Sequence, residues 1–146
     1  MALLPLYTRH LCSVPVRLQS SIAPRFFSVR TMAMASQEQR YKLIFTTPPQ
    51  NLPTIKTAVF ATGAGSYPGP GGYTEVCFTM PGVGQFRPGN SANPSIGEKG
   101  KLEEVGEVRC EILCVGEGVA RQAVEALKQS HPYEEPAYEV YKLENF

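Results

Sequence analysis

The sequence contains no aspartate and no tryptophan, and its 146 residues include only two histidines and four cysteines. Without aspartate, the carboxylate that usually orients a catalytic histidine is missing, so a Ser-His-Asp arrangement is excluded. One histidine, His10, lies in the N-terminal stretch, which leaves His131 as the single imidazole of the remaining chain. Of the cysteines, Cys77, Cys110 and Cys114 follow that stretch with no C-x-x-C spacing and no histidine-rich partner segment, which argues against a structural zinc site. A cysteine–histidine pair formed by Cys77 and His131 is the remaining nucleophilic arrangement. Nor is there an uninterrupted apolar run of the ~20 residues that a membrane-spanning helix needs, so no membrane partner is expected.

Acidic residues are absent from one part of the chain in particular. Residues 1–37 hold Arg9, Arg17, Arg25 and Arg30 and no glutamate. From Glu38 onward ten lysines and arginines face thirteen glutamates, a balance of −3 beneath a formal net charge of +1. Nucleic-acid binders carry a basic body, and this mildly acidic one argues against such a partner. The stretch "MALLPLYTRHLCSVPVRLQSSIAPRFFSVRTMAMAS" is arginine-rich, serine-rich and acid-free, which predicts a mitochondrial (matrix) transit peptide over residues 1–36. In "RFFSVR", Arg25 is placed for cleavage between Phe27 and Ser28. A disordered extension is the alternative. Initiation at Met32 or Met34 would give an additional cytosolic form. Residues 37–146 then make one folded domain of ordinary small size.

Periodicity divides that domain into six elements. "YKLIFTTP" reads as a strand with Tyr41, Leu43 and Phe45 on one face, and "NLPTIKTAVFATGAG" as a helix with Leu52, Ile55, Ala58 and Val59 inward, capped by Asn51 and ended by Gly63 or Gly65. "YTEVCFTM" alternates Val76, Phe78 and Met80 against Glu75, Cys77 and Thr79. After it, "PGVGQFRPGNSANPSIGEKG" is a glycine- and proline-rich loop, with a short ribbon around residues 85–87, longer than most connections. "EVRCEILCV" is a third strand that sets Cys110 and Cys114 on the Val108/Ile112 face as small buried apolar groups. "GEGVARQAVEALKQSH" is a helix with Val119, Ala123, Val124 and Leu127 inward, and "PAYEVYKL" closes the domain as a fourth strand. Strand, helix, strand, strand, helix, strand is the ferredoxin-like (split βαβ) α+β sandwich: an antiparallel sheet with two helices on one face. Tyr41, Cys77, Leu113, Val115, Tyr138 and Tyr141 supply more apolar positions than two helices cover. A partner subunit on the other sheet face is therefore expected.

The glycines of "GAGSYPGPGG" follow a helix and open a strand, the reverse of a phosphate cradle, and read as helix termination. Glu103, Glu104 and Glu107 near Lys99, Lys101 and Arg109 read as a salt-bridged face. The strongest cluster is "HPYEEPAY". His131 ends the second helix, where the dipole favours its protonated form, and Pro132 stops the helix. Glu134 and Glu135 are adjacent, so in extended chain they point apart, and one of them could join His131 around a metal. The corner reads either as an architectural and interface junction or as a ligand site.

Three separated motifs, "GAG", "GQFRPGNSANPSIGEKGKLEEVGEVRCEILC" and "HPYEEPAYEVYKLENF", resemble the PII/CutA-like domain of Nif-three-like (Ngg-interacting-factor-like, YqfO-type) proteins, over about residues 41–146. The resemblance implies the same ferredoxin-like fold and a tendency to form trimers. Related domains, including the regulatory domain of ATP phosphoribosyltransferase, bind small effectors or metals at intersubunit clefts. It further implies a domain without the flanking halves that carry the family's dinuclear metal centre, so the metal-hydrolase activity is not carried over.

Three functions follow as expectations. The first is a non-catalytic, mitochondrial, oligomeric sensing domain binding a divalent metal or an anionic effector through Arg87, Asn90, Asn93, Lys99, His131, Glu134 and Glu135. Among these, Arg87 and Lys99 suit anionic oxygens and the asparagine amides suit polar edges. The second is a protein-interaction module using Tyr73, Tyr133, Tyr138 and Tyr141. The third is an enzyme with His131 as acid/base, tuned by Glu134 or Glu135.

Overall fold

The computed structural model describes residues 38–144 and Phe146. The expected transit peptide lies outside the described residues. Six elements follow in order: β1 (Arg40–Thr47), α1 (Leu52–Phe60), β2 (Cys77–Phe86), β3 (Glu103–Val115), α2 (Glu117–Ser130) and β4 (Tyr138–Leu143). The four strands form one antiparallel sheet in the order β2-β3-β1-β4. This is the ferredoxin-like arrangement expected from the periodicity.

Alternation along each strand decides what the helices cover. Leu43, Phe45, Cys110, Ile112 and Cys114 project from β1 and β3 toward the helices and meet Ile55, Val59, Ala120, Ala123 and Leu127 in one buried cluster. The two thiols behave as small apolar groups there, with burial raising Cys110 to about 12 and Cys114 to about 11. Asn51 sits at the N-cap of α1 but its side chain makes no capping bond; its carbonyl receives Ile55 N instead. After α1, Gly65 (φ +79°) donates to Leu113 O at 2.7 Å and accepts from Val76 N at 3.0 Å. A Cβ on Gly65 would stand 2.8 Å from the Phe60 ring, so this left-handed, crowded position is one only glycine fills without strain.

Two expectations about the sheet are corrected. The second strand starts at Cys77 and continues through Pro81, Gly82 and Gly84 to Phe86, pairing with Glu103–Val108 in a long hairpin arm where the sequence suggested mostly loop. Pro81 is tolerated because β2 is an edge strand and needs no donor on its open side. Within β2 it is Cys77, packed against the core cluster, that faces the helices, while Phe78 and Met80 lie exposed. Tyr41 and Tyr138 likewise pack on the helix side, which leaves Phe78, Met80 and Tyr141 as the exposed large apolar groups of the opposite face. Lys42, Arg109 and Glu111 form a charged belt across that face, at 3.7 Å and 3.2 Å.

Candidate functional site

The corner after α2 is built by its prolines. Pro132 forces the residue before it out of helical geometry, and His131 is extended (ψ 140°) at the C-cap, its amide still bonded to Leu127 O. That turns the imidazole back under the sheet. His131 Nε2 lies 2.9 Å from the Thr46 carbonyl and Nδ1 lies 3.1 Å from Tyr133 N. A carbonyl only accepts and an amide only donates, so the ring is the neutral Nε2–H tautomer, bonded at both nitrogens. Burial pushes its pKa below the ordinary value, outweighing the opposite pull of the Thr46 carbonyl and of Glu107. The expected protonated histidine is therefore corrected: burial lowers its pKa, and the two ring nitrogens are bonded as the neutral tautomer. The same ring stands edge-on to Tyr133, centroids 5.0 Å apart, and fixes where that phenol lies.

Facing the corner is the 87–101 loop, closed on itself at its neck. Gly100 N donates to Pro88 O at 2.8 Å and Arg87 Nη1 to Gly100 O at 2.5 Å. Lys99 Nζ donates to Asn90 O at 3.1 Å, and Lys101 pairs with Glu98 at 2.5 Å. One bond ties loop to corner: Asn93 N donates to Glu134 Oε1 at 2.9 Å, across 41 residues of sequence.

Between loop, corner and the end of the sheet lies a cavity of about 340 Å³, within the range of small-molecule sites, roughly 300–1,000 Å³. Phe86, Pro88, Pro94 and Ile96 provide its apolar walls, and Phe86 and Tyr133 are neighbours at 6.4 Å between ring centroids. Of the seven residues expected at a site, Arg87, Glu134 and Glu135 line this cavity. Asn93 joins it through Glu134, whereas Asn90 and Lys99 brace the loop and His131 supports Tyr133 from behind.

Among the lining residues that the sequence does not mark as ligand-binding are Thr46, Glu107 and Tyr133, the last expected at a protein interface. Glu107 was grouped with a salt-bridged face, yet it makes no ion pair among the described residues and turns to the cavity. Gly84 makes room for it, since a Cβ there would stand 2.7 Å from Glu107 Oε2. The Tyr133 hydroxyl is buried beside Glu107, and its pKa is pushed up to about 12 by burial first, then by the charge of that carboxylate and by hydrogen bonding to it. The pairing of "QF" in β2 with "EE" in β3 was the available signal, and it was hidden by the glycines that made the arm look like loop.

A second hollow, about 660 Å³, separates α2 from β4. Its charges are already paired, Arg121 with Glu117 at 2.5 Å and Lys128 with Glu125 at 3.6 Å, and Lys128 also stands 5.5 Å above the Tyr138 ring. Among the described residues no group of three His, Cys, Asp or Glu side chains comes together to hold a metal ion.

The fold is ferredoxin-like and resembles that of CutA proteins. The CutA of Archaeoglobus fulgidus, described as a periplasmic divalent cation tolerance protein, superposes with a TM-score of 0.52 over 73% of this chain and 86% of its own, at 13% identity, a likeness of fold alone. A Bacillus cereus protein related to NIF3 superposes with a TM-score of 0.61 at 33% identity, covering 75% of this chain and 27% of that one. No family model matches the chain. A protein of Halalkalibacterium halodurans named GTP cyclohydrolase 1 type 2 homolog is 38% identical over 117 residues, 80% of this chain and 30% of that protein. One of the same name from Mycobacterium tuberculosis is 34% identical over 102 residues, 70% of this chain and 26% of that protein. The chain belongs to the NIF3 family, through the domain it shares with these relatives. It spans about 30% of the length of the curated relatives it matches.

Proposed function

We propose that this domain is a non-catalytic, ligand-binding regulatory module of the NIF3 family, and that its binding site is the cavity between the 87–101 loop and the 131–137 corner. The cavity carries the reading, because it joins apolar walls to a few convergent polar groups. Against catalysis by the domain stands its chemistry: the one described histidine is buried, neutral and bonded twice, and burial holds Cys110 and Cys114 as thiols. The activity in the relatives' name belongs to proteins several times longer than the matched segment.

Homo-oligomerisation, as a trimer, is part of the proposal. Phe78 at 61% exposure, Met80 at 46% and Tyr141 at 53% leave an apolar sheet face for which a second copy is the natural cover. The same face favours a second reading, an interaction module that binds a different protein there. Native mass spectrometry of the protein gently isolated from cells separates them. A homo-oligomer carrying a reproducible extra mass of small-molecule size is expected; a bare monomer, or a stoichiometric complex with another protein, contradicts the regulatory reading.

A mitochondrial matrix location is proposed on the composition of residues 1–36. Deleting that segment should abolish import, and a truncated chain still found in the matrix would refute the assignment. No helix among the described residues is long and apolar enough to cross a membrane.

A further inference from the structure

We infer that the ligand of this cavity is a small organic cation, an ammonium or amidinium group on an apolar body, in place of the anion or metal that the sequence suggested. The inference rests on the reading of the cavity as a ligand site and adds the chemistry of what enters it.

Three carboxylates, Glu107, Glu134 and Glu135, line the cavity against one guanidinium, that of Arg87. Arg87 commits Nη1 to the Gly100 carbonyl, and Glu134 receives a bond from the Asn93 amide. Neither Glu107 nor Glu135 has a cationic partner among the described residues, and what stands beside Glu107 is the neutral Tyr133 phenol. An ionised carboxylate only accepts hydrogen bonds, so the unanswered groups ask for donors and positive charge. Glu107 is the more telling, being half-buried with a phenol beside it but no cation paired to its charge among the described residues.

The walls point the same way independently. Phe86 and Tyr133 present neighbouring aromatic rings beside those acids, and an aromatic face attracts a cation within about 6 Å of its centroid. With its proton turned to Glu107, the buried Tyr133 hydroxyl offers its oxygen as a further acceptor at the same wall. An anion would meet three like charges here against a single guanidinium. A bare divalent ion would leave the apolar walls unused, and among the described residues no three His, Cys, Asp or Glu side chains come together to hold one.

Benzamidine, benzamide and benzoate share one shape and carry positive, zero and negative charge, so they isolate the charge requirement. Each is titrated into the full chain while the backbone amides of Asn93 and Tyr133 are followed by NMR. Benzamidine should shift both amides and bind more tightly than the other two. Glu107→Gln and Glu135→Gln should each weaken it, together by roughly tenfold, with the fold unchanged in the remaining spectrum. Benzoate or benzamide binding as tightly as benzamidine at those amides overturns the cation inference and leaves the cavity as a ligand site. Silence at both amides with all three at millimolar concentration overturns the cavity as a ligand site, and the cation inference with it.

Discussion

His131 shows how a residue that looks like chemistry can be architecture. Its two nitrogens join β1 to the corner, bonding Thr46 O and Tyr133 N, and its ring edge holds Tyr133 at the cavity wall. Replacing it with alanine leaves a carbonyl and an amide unanswered and should cost ~1–3 kcal/mol in urea unfolding. Its pH dependence has a definite sign. Burial lowers the folded pKa beneath the ordinary 6.5, so the unfolded chain takes up the proton first on acidification. The contribution is complete above the unfolded value and falls as pH drops through the window beneath it. Protonation would also turn Nδ1 into a donor against the Tyr133 amide. Urea midpoints should fall below about pH 6.5, and a His131→Gln chain should lack that component. Thr47 offers the opposite case: its hydroxyl is fully buried with no hydrogen-bond partner. Thr47→Val should therefore stabilise by about 1 kcal/mol in the same measurement; a loss of stability would mean the hydroxyl has a partner in solution.

At the scale of elements, periodicity made both helices and three strands legible. Ile55, Val59, Ala123 and Leu127 lie on the faces that their spacing assigns. Truncating Leu127 to alanine should cost ~2–5 kcal/mol, because the site is enclosed by two strands and α1. β2 was less legible for a physical reason: alternation separates two faces but does not say which one the helices cover, and both faces of β2 carry apolar groups. Cys77 goes inward and Phe78 outward, the reverse of what side-chain size suggests. Glycines and a proline then disguised the arm, although an edge strand accepts both. The cavity itself depends on this arm, since Glu107, Glu134 and Thr46 are far apart in sequence and meet only through the hairpin register and the loop-to-corner bond. Gly84 tests that dependence. An added methyl group displaces a flexible carboxylate, not backbone, and no positive φ forbids it. Gly84→Ala should leave stability within about 1 kcal/mol of the original while weakening benzamidine binding, as read by calorimetry.

For the whole molecule, one sheet face is packed by helices and the other carries exposed apolar groups around a charged belt. Introducing charge there, with Phe78→Asp and Tyr141→Asp together, should reduce the sedimentation-velocity mass to that of a single chain without altering the far-ultraviolet spectrum. An unchanged oligomer would move the interface elsewhere, to the open edges of β2 or β4. Two edges and one uncovered face are consistent with a module that completes itself by association. The cavity opens at the loop end of the same sheet, so the proposed subunit packing and the proposed ligand binding would share β2 and β3.

The most direct test of the cavity as the functional site is a comparison of native mass spectra for the original chain and Ala92→Trp, in which an indole fills the space beside Pro94 and Ile96. The original chain should retain a small-molecule mass that the variant has lost, with both in the same oligomeric state. An identical bound mass on the two proteins would contradict the central claim, placing the ligand somewhere other than between the loop and the corner.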